Sequence, residues 1–133
     1  MTAMNLLGCV DLSGRPGSVA LAREYTCELL RVAGGPYGDD VALLVGEVTA
    51  NAVKHSDSGR LPGGTVRLRV YGDGRAVRVE VIDEGSATTA PRIPERTDPL
   101  VEGGRGLWLV QELSSAWGWR QDGAHRVVWF EIG

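Results

Sequence analysis

Apolar and polar positions divide the chain into segments with two different periods. Around Val66 and Val79, aliphatic residues alternate with arginine and glutamate, which predicts strands at 65–71 and 76–82, each with one buried and one exposed face. Two earlier segments carry apolar residues at helical spacing instead, and the first of them ends before Gly34-Gly35-Pro36. The pattern therefore predicts two helices followed by a hairpin.

Turn and capping signals place the other elements. Ser18 is expected to cap the first helix, and Asp39 or Asp40 the second, which runs to about Ser56. The remaining predicted elements are an N-terminal strand, a third helix and a closing hairpin: 6–12, about 106–115, 117–121 and 127–132.

This order of elements predicts an α+β fold, a two-layer sandwich in which a mixed, mostly antiparallel sheet is covered on one face by three helices. A chain of 133 residues has room for one core, so we expect a single domain over 1–133. Residues 1–14 form its N-terminal strand and arm. Residues 84–103 are predicted to form an irregular loop. A loop this long inside a compact domain usually has a function.

Composition narrows the class of protein. The formal charge is −3 with scattered arginines, which argues against direct nucleic-acid binding through phosphate neutralisation. No signal-peptide pattern or run of about 20 apolar residues is present, so we expect a cytoplasmic protein without a membrane partner. The two cysteines, Cys9 and Cys27, are too few and too poorly spaced for a disulfide framework or a zinc site.

The second predicted helix carries polar residues along the edge of its apolar arc. Glu47, Asn51 and His55 follow one another at i, i+4 and i+8. The amide oxygen of Asn51 is a hard ligand suited to Mg²⁺, and the Glu47 carboxylate can accept a proton from an attacking hydroxyl or water. Taken alone, this spacing of polar residues more often indicates a helix edge that faces solvent.

Two further segments carry candidate chemistry. An apolar strand ends at Asp83, whose carboxylate can accept a hydrogen bond from an amine such as adenine N6, and Gly85 lets the backbone approach a flat ligand. The same pattern also occurs in ordinary turns. Farther along, Gly103-Gly104-Arg105-Gly106 opens a helix, where backbone N–H groups and the helix dipole favour an anion. Neither a dinucleotide fingerprint nor a P-loop is present.

The order of these segments resembles the N box, G1 box, ATP lid and G2 box of the GHKL ATPases, the superfamily of gyrase, the Hsp90 chaperones, histidine kinases and MutL. The resemblance covers about residues 15–132. Residues 47–56 and 103–110, followed by Trp117-Gly118 and Val128-Trp129-Phe130-Glu131, look most like the small bacterial anti-sigma factors that are also serine-protein kinases.

The resemblance implies ATP and Mg²⁺ as ligands and a role for individual residues. Glu47 would be the general base, and Asn51 would ligate the Mg²⁺ that bridges the phosphates. Asp83 would bind the adenine amine, with Gly85 giving the base room, and residues 84–103 would form the ATP lid. Four further positions would complete the phosphate end of the site: Gly104, Arg105, Gly106 and Lys54. For Lys54 a solvated side chain is the ordinary alternative.

The implied function is that of an anti-sigma factor with Mg-dependent serine-protein kinase activity. Such a protein binds a sigma factor and transfers the γ-phosphate of ATP to a serine of an anti-anti-sigma antagonist. A non-catalytic nucleotide-binding interaction module and a stand-alone ATPase are the alternatives. Relatives commonly pair, so a homodimer stays open.

Some positions depart from the family pattern or carry no assigned role. Gly123-Ala124-His125-Arg126 stands where a Gly followed by Lys or Thr is common, which puts a phosphate or hydroxyl contact from that turn in doubt. His55 is expected to pack against the apolar arc. The tryptophans are expected to pack in the core and on the sheet, with exposed ones available for a protein-binding face: Trp108, Trp117, Trp119 and Trp129.

Overall fold

The computed structural model describes residues 4–34, 38–56, 58, 62–85 and 105–133. The elements in chain order are β1 (Asn5–Ser13), α1 (Ser18–Ala33), α2 (Gly38–His55), β2 (Thr65–Gly72), β3 (Val77–Asp83), α3 (Arg105–Leu113), β4 (Ala116–Asp122) and β5 (His125–Ile132). Each corresponds to a predicted element, with its ends shifted by about one or two residues. No helix within these described ranges is long and apolar enough to cross a bilayer.

The strands form one sheet in the order β1-β2-β3-β5-β4. All four neighbouring pairs are antiparallel, so the α+β class is confirmed, while the expected mixture of strand directions is absent among the described pairs. The reason is the β4–β5 hairpin: β5 returns beside β3 and leaves β4 at the edge. β4 therefore runs in the same direction as β3 but does not pair with it.

The alternating strands bury one face of the sheet against the helices. In β2 and β3 the inward side chains are aliphatic and buried: Val66, Leu68, Val70, Val77, Val79 and Val81. Helix α2 lies across these strands and against α1 and α3, and its buried side chains repeat at helical spacing: Val41, Leu44, Val45, Val48 and Ala52. Any polar residue at the edge of this arc consequently lies beside the layer between α2 and the sheet.

Both predicted helix caps are wrong in detail. Gly17 occupies the N-cap of α1, and Ser18 is the first helical residue. The Ser18 hydroxyl is buried and hydrogen-bonded to that of Ser13 at 3.0 Å, so it joins the helix to the end of β1. Asp39 and Asp40 lie inside the first turn of α2, since that helix begins at Gly38. In that turn their charges favour the positive end of the helix dipole.

Helix α1 approaches β1 closely at Gly8. The register of β1 on β2 shifts between Leu6 and Gly8. A Cβ on Gly8 would lie 2.5 Å from the Tyr25 hydroxyl and 2.6 Å from a methyl carbon of Leu29. Glycine therefore sets the distance between α1 and the edge strand.

Replacing Gly8 by alanine should destabilise the domain by about 1 kcal/mol, because the ends of the Tyr25 and Leu29 side chains must move to admit one methyl group. Gly38→Ala is the matched control, since a Cβ there has no neighbour within 4 Å among the described residues and alanine favours a helix. Urea unfolding followed by circular dichroism measures both. Equal effects of the two substitutions would contradict this account of the contact.

Candidate functional site

Glu47 and Asn51 lie one turn apart on α2, and both are half-buried. The predicted stacking of these two side chains is therefore present along the edge of the buried arc. Lys54 follows three residues after Asn51, on the same side of α2, and its side chain is exposed. Glu47, Asn51 and Lys54 therefore lie along one side of the helix, while the side chain of His55, the third member of the predicted row, lies outside the described residues.

The amide of Asn51 has an unsatisfied hydrogen-bonding group. Its Nδ2 is buried and has no hydrogen-bond partner among the described residues. Leaving a polar group buried without a partner costs about 1–3 kcal/mol. Such groups in a folded protein commonly mark the position of a ligand, an ion or a water. Rotation of the amide exchanges its oxygen and nitrogen, so the same position can present a donor or an acceptor.

Asp83 ends β3 with its side chain on the helix-facing side of the sheet, and it is only 2% exposed. Its Oδ1 accepts a hydrogen bond from the Gly85 N–H at 2.6 Å. The Arg126 Nε lies 3.7 Å from the same oxygen. Burial raises the pKa of Asp83, and the Gly85 N–H and the Arg126 charge act in the opposite direction. The site therefore contains a desolvated carboxyl group whose ionisation depends on two specific neighbours.

Gly85 is required for this turn. Its φ of 73° lies in the left-handed region, and a Cβ would lie 3.0 Å from the carbonyl oxygen of Ala124 in the β4–β5 turn. Both constraints exclude a larger residue without strain. The group that Gly85 approaches closely within the protein is the β4–β5 hairpin, and the expected approach to a flat ligand stays a prediction.

A chain of hydrogen bonds joins the end of α2 to the end of β3. The Ser56 hydroxyl donates to the Ala52 carbonyl at 2.5 Å. Ser56 Oγ in turn accepts from the Ser58 N–H at 3.1 Å. The Ser58 hydroxyl oxygen accepts from the Glu84 N–H at 2.9 Å. Both serines are almost completely buried, so these bonds hold the Asn51 helix and the Asp83 strand in a fixed relation.

Two of the described residues that build this site were missed in the sequence. Ser58 follows the helix in a segment that reads as an ordinary loop, although closely spaced serines after a helix are a known signal for side-chain to backbone bonds. Arg126 was grouped with the β4–β5 turn, but it lies in β5 as the cross-strand partner of Asp83. No local pattern marks that pairing.

The chain matches the family model of the histidine kinase-like ATPase domain over residues 12–132. It belongs to this family. Membership confirms the resemblance to the GHKL ATPases, and it implies nucleotide binding, typically with Mg²⁺. None of the curated proteins compared with the chain matches it significantly.

The fold of this ATPase domain is similar to that of a chain in the solved structure "The crystal structure of the RsbU and RsbW domains of Rv1364c from Mycobacterium tuberculosis". The TM-score is 0.64 and the sequence identity is 18%. The match covers 94% of the present chain and 32% of the other chain. At this identity the similarity establishes the fold. The domain spans about a third of the length of the chain it matches.

The phosphate end of the site lies partly outside the described residues. Arg105 and Gly106 are the first residues of α3, so this glycine segment does open a helix, although nothing is described of the Arg105 side chain. Gly104 and most of the 84–103 segment fall outside the described ranges. The side chains of His55 and Trp108 do so as well.

The other tryptophans of the ATPase domain lie on β4 and β5. Trp117 packs against the hydrophobic core, as expected. The half-buried Trp129 ring lies 4.2 Å from the Arg78 guanidinium. The same ring lies against Gly118 of β4, where a Cβ would be 2.9 Å from it. Trp119 is 42% exposed. Packing is thus confirmed for Trp117 and Trp129, whereas Trp119 is open to solvent.

Two aspartates of this ATPase domain should affect the pH dependence of stability with opposite sign. The pKa of Asp83 is raised by burial, so its contribution to the free energy of unfolding falls as pH rises through that pKa. The pKa of Asp73 is lowered by hydrogen bonds from the Ala76 and Arg75 N–H groups, so its contribution rises with pH.

We therefore expect that, as pH rises from about 3 to 6, Asp83→Asn gains stability relative to the unchanged protein. Over the same range Asp73→Asn should lose stability relative to the unchanged protein. Urea unfolding of the three proteins at several pH values measures the difference. Slopes of the same sign for both variants would refute the assignment of burial as the dominant influence on Asp83.

Proposed function

We propose that this domain binds ATP with Mg²⁺ and is an anti-sigma factor with serine-protein kinase activity. It transfers the γ-phosphate to a serine of an anti-anti-sigma antagonist and also binds a sigma factor. The observation that carries the proposal is the unsatisfied amide of Asn51, one turn after Glu47 and beside the layer that Asp83 faces. The resemblance of residues 47–56 and 103–110 to the anti-sigma kinases supports the choice of substrate and partners.

Asp83 and Gly85 form the adenine end of the proposed site. An ionised carboxylate accepts hydrogen bonds and cannot donate them, so Asp83 accepts one from the exocyclic amine of adenine. Because Asp83 is 2% exposed, water competes little for that bond, and an interaction with a charged acceptor is strengthened by the low local dielectric. Gly85 has no side chain to obstruct a flat ring beside the strand end.

Asn51 and the start of α3 form the phosphate end. The Asn51 amide oxygen fits Mg²⁺, a hard cation that keeps several waters and takes its other ligands from substrate phosphates. Mg²⁺ held by Asn51 would supply positive charge to offset the negative charge that develops on the transferring phosphoryl group. Gly104, Arg105 and Gly106 supply backbone N–H donors and the positive end of the helix dipole. The exposed Lys54 amine, one turn after Asn51, adds a positive charge on the same side of α2.

Glu47 is the proposed general base. Residues four apart on a helix have Cβ atoms about 5–6 Å apart, so Glu47 lies next to the phosphate end that Asn51 defines. As the serine Oγ of the antagonist attacks the γ-phosphorus, its proton passes to the Glu47 carboxylate. The bond from phosphorus to the β–γ bridging oxygen breaks, and ADP leaves. Positioning and charge neutralisation supply most of the rate in reactions of this type.

Glu47→Gln should abolish phosphoserine formation with little effect on nucleotide affinity, because the amide keeps the shape of the side chain but cannot take the proton. We expect a loss of about 10²–10⁴-fold in transfer rate with ADP affinity unchanged within about twofold. Transfer is measured with γ-labelled ATP and a purified anti-anti-sigma domain, and affinity by calorimetry.

The control for this experiment is Glu28→Gln, which removes an exposed carboxylate on α1 that is paired with Arg31. It should leave transfer unchanged. Full transfer by Glu47→Gln would contradict the assignment of the base. Nucleotide binding without phosphoserine in the unchanged protein would favour a non-catalytic interaction module, and phosphate release without an acceptor would favour a stand-alone ATPase.

Asn51→Ala should remove the Mg²⁺-dependent part of ATP affinity. We expect the unchanged protein to bind ATP at least about tenfold more tightly in Mg²⁺ than in EDTA, and the variant to show almost no difference. The matched control is Thr49→Val. Thr49 is 1% exposed and its hydroxyl has no partner among the described residues, and it lies two positions away on another side of α2. An Asn51→Ala variant that keeps the full Mg²⁺ effect would exclude Asn51 as the ligand.

A further inference from the structure

Arg126 is a buried cation beside the buried carboxylate of the proposed adenine site. Its side chain is 6% exposed and that of Asp83 is 2% exposed. The two residues are cross-strand partners in the β3–β5 pairing, so the sheet itself holds them together. The Nε of Arg126 lies 3.7 Å from Oδ1 of Asp83. A buried charge pair of this kind is costly to form and even more costly to break from one side, which indicates a role beyond packing.

In the proposed site the C6 edge of the purine faces Asp83, so the ionisation state of Asp83 would decide which group at C6 it can bind. Adenine presents an amine donor at C6, whereas guanine presents a carbonyl acceptor there. An ionised carboxylate accepts only, and a neutral carboxyl group can also donate. Burial favours the neutral form, so the site needs an opposing charge if it is to select adenine. Arg126 lies where it supplies that charge.

We propose that Arg126 is a positioning and specificity-determining residue, which holds the buried Asp83 carboxylate ionised and oriented so that the site binds adenine and rejects guanine nucleotides. This inference rests on the proposed function, in which Asp83 binds the adenine amine. It also gives a role to a position that departs from the family pattern, since Arg126 lies beside the Asp83 carboxylate at the base end of the proposed site.

Two other groups act on Asp83 in the same direction. The Gly85 N–H donates to the same oxygen at 2.6 Å, and His125, the residue before Arg126 on β5, contributes at longer range. His125 is exposed, so solvent screens its charge. The Gly85 N–H is a dipole without a net charge. Arg126 is therefore the permanent buried charge in this group, since a guanidinium stays protonated throughout the ordinary pH range.

The test compares Arg126→Met with Arg126→Lys, because methionine removes the charge and lysine keeps it. ADP and GDP affinities are measured by calorimetry from pH 5.5 to 8. We expect the unchanged protein to prefer ADP by at least about 100-fold with little pH dependence. Arg126→Lys should stay within about threefold of those values.

Arg126→Met should behave differently in two respects. It should lose at least about tenfold in ADP affinity at pH 5.5 and regain part of it as rising pH ionises Asp83. Its preference for ADP over GDP should be smallest at low pH. Arg120→Met is the matched control: Arg120 lies on β4, exposed and near Glu80 on the opposite face of the sheet, and its loss should change neither affinity nor pH profile.

The outcomes separate this inference from the proposed function. If the unchanged protein binds neither nucleotide, the proposed function fails. If it binds ADP, and Arg126→Met has the same affinity, selectivity and pH profile, the role of Arg126 is overturned while nucleotide binding stands.

If Arg126→Met does not fold, the ionisation of Asp83 is followed in the unchanged protein by NMR, from the pH dependence of its carboxyl ¹³C shift. The Asp83 signal is assigned as the one that disappears in Asp83→Asn. A carboxylate that is ionised at pH 7 supports the inference. One that is protonated at pH 7 overturns it.

Discussion

The proposed site of this domain depends on Asp83, a carboxyl group with almost no access to water. Removing the hydration of an ionised group is expensive unless hydrogen bonds and opposite charge replace it. For Asp83 the replacements are the Gly85 N–H and the Arg126 guanidinium. Each depends on a different part of the fold, since Gly85 needs a left-handed turn after β3 and Arg126 needs the pairing of β3 with β5. Perturbed ionisable groups of this kind are concentrated at functional sites.

The two ends of the proposed nucleotide site lie on elements that are distant in sequence, and buried hydrogen bonds fix the distance between them. Ser58 joins the end of α2 to the residue after Asp83. Gly64 makes room for this connection, because a Cβ there would lie 2.0 Å from the Ser58 carbonyl oxygen. A site that must span a base and its phosphates requires such rigidity, since small displacements of binding groups lower the rate of transfer.

The sheet separates two chemically different faces. The face toward the helices is mostly apolar, with Asp83 and Arg126 as its buried charged residues, whereas the opposite face carries a second buried carboxylate, Glu80, with Arg69, Arg78 and Arg120 within 3.1–3.8 Å. Among the described residues, Glu80 has three neighbouring cations, while Asp83 is paired with one buried cation, Arg126. The loss of one neighbouring cation is therefore expected to affect Asp83 more than Glu80.

Much of the candidate site could be predicted from local spacing. The period of an α-helix fixes Glu47 and Asn51 on one side of α2, and the period of a strand places Asp83 in line with the inward side chains of β3. The turn at Gly85 and the order of the elements also follow from short segments of sequence. These features depend on residues that are close along the chain, so the chain itself specifies them.

The tertiary structure decided the rest. Whether Arg126 meets Asp83 depends on the register of two strands that are more than 40 residues apart in sequence. The role of Ser58 depends on the packing of a loop against β3, and that of Ser18 on the position of α1 beside β1. The sequence by itself determined the elements, the faces they bury and the polar residues they present. Only the folded chain decided which of those polar residues touch, because pairing across long separations is set by register and packing and leaves no local period to recognise.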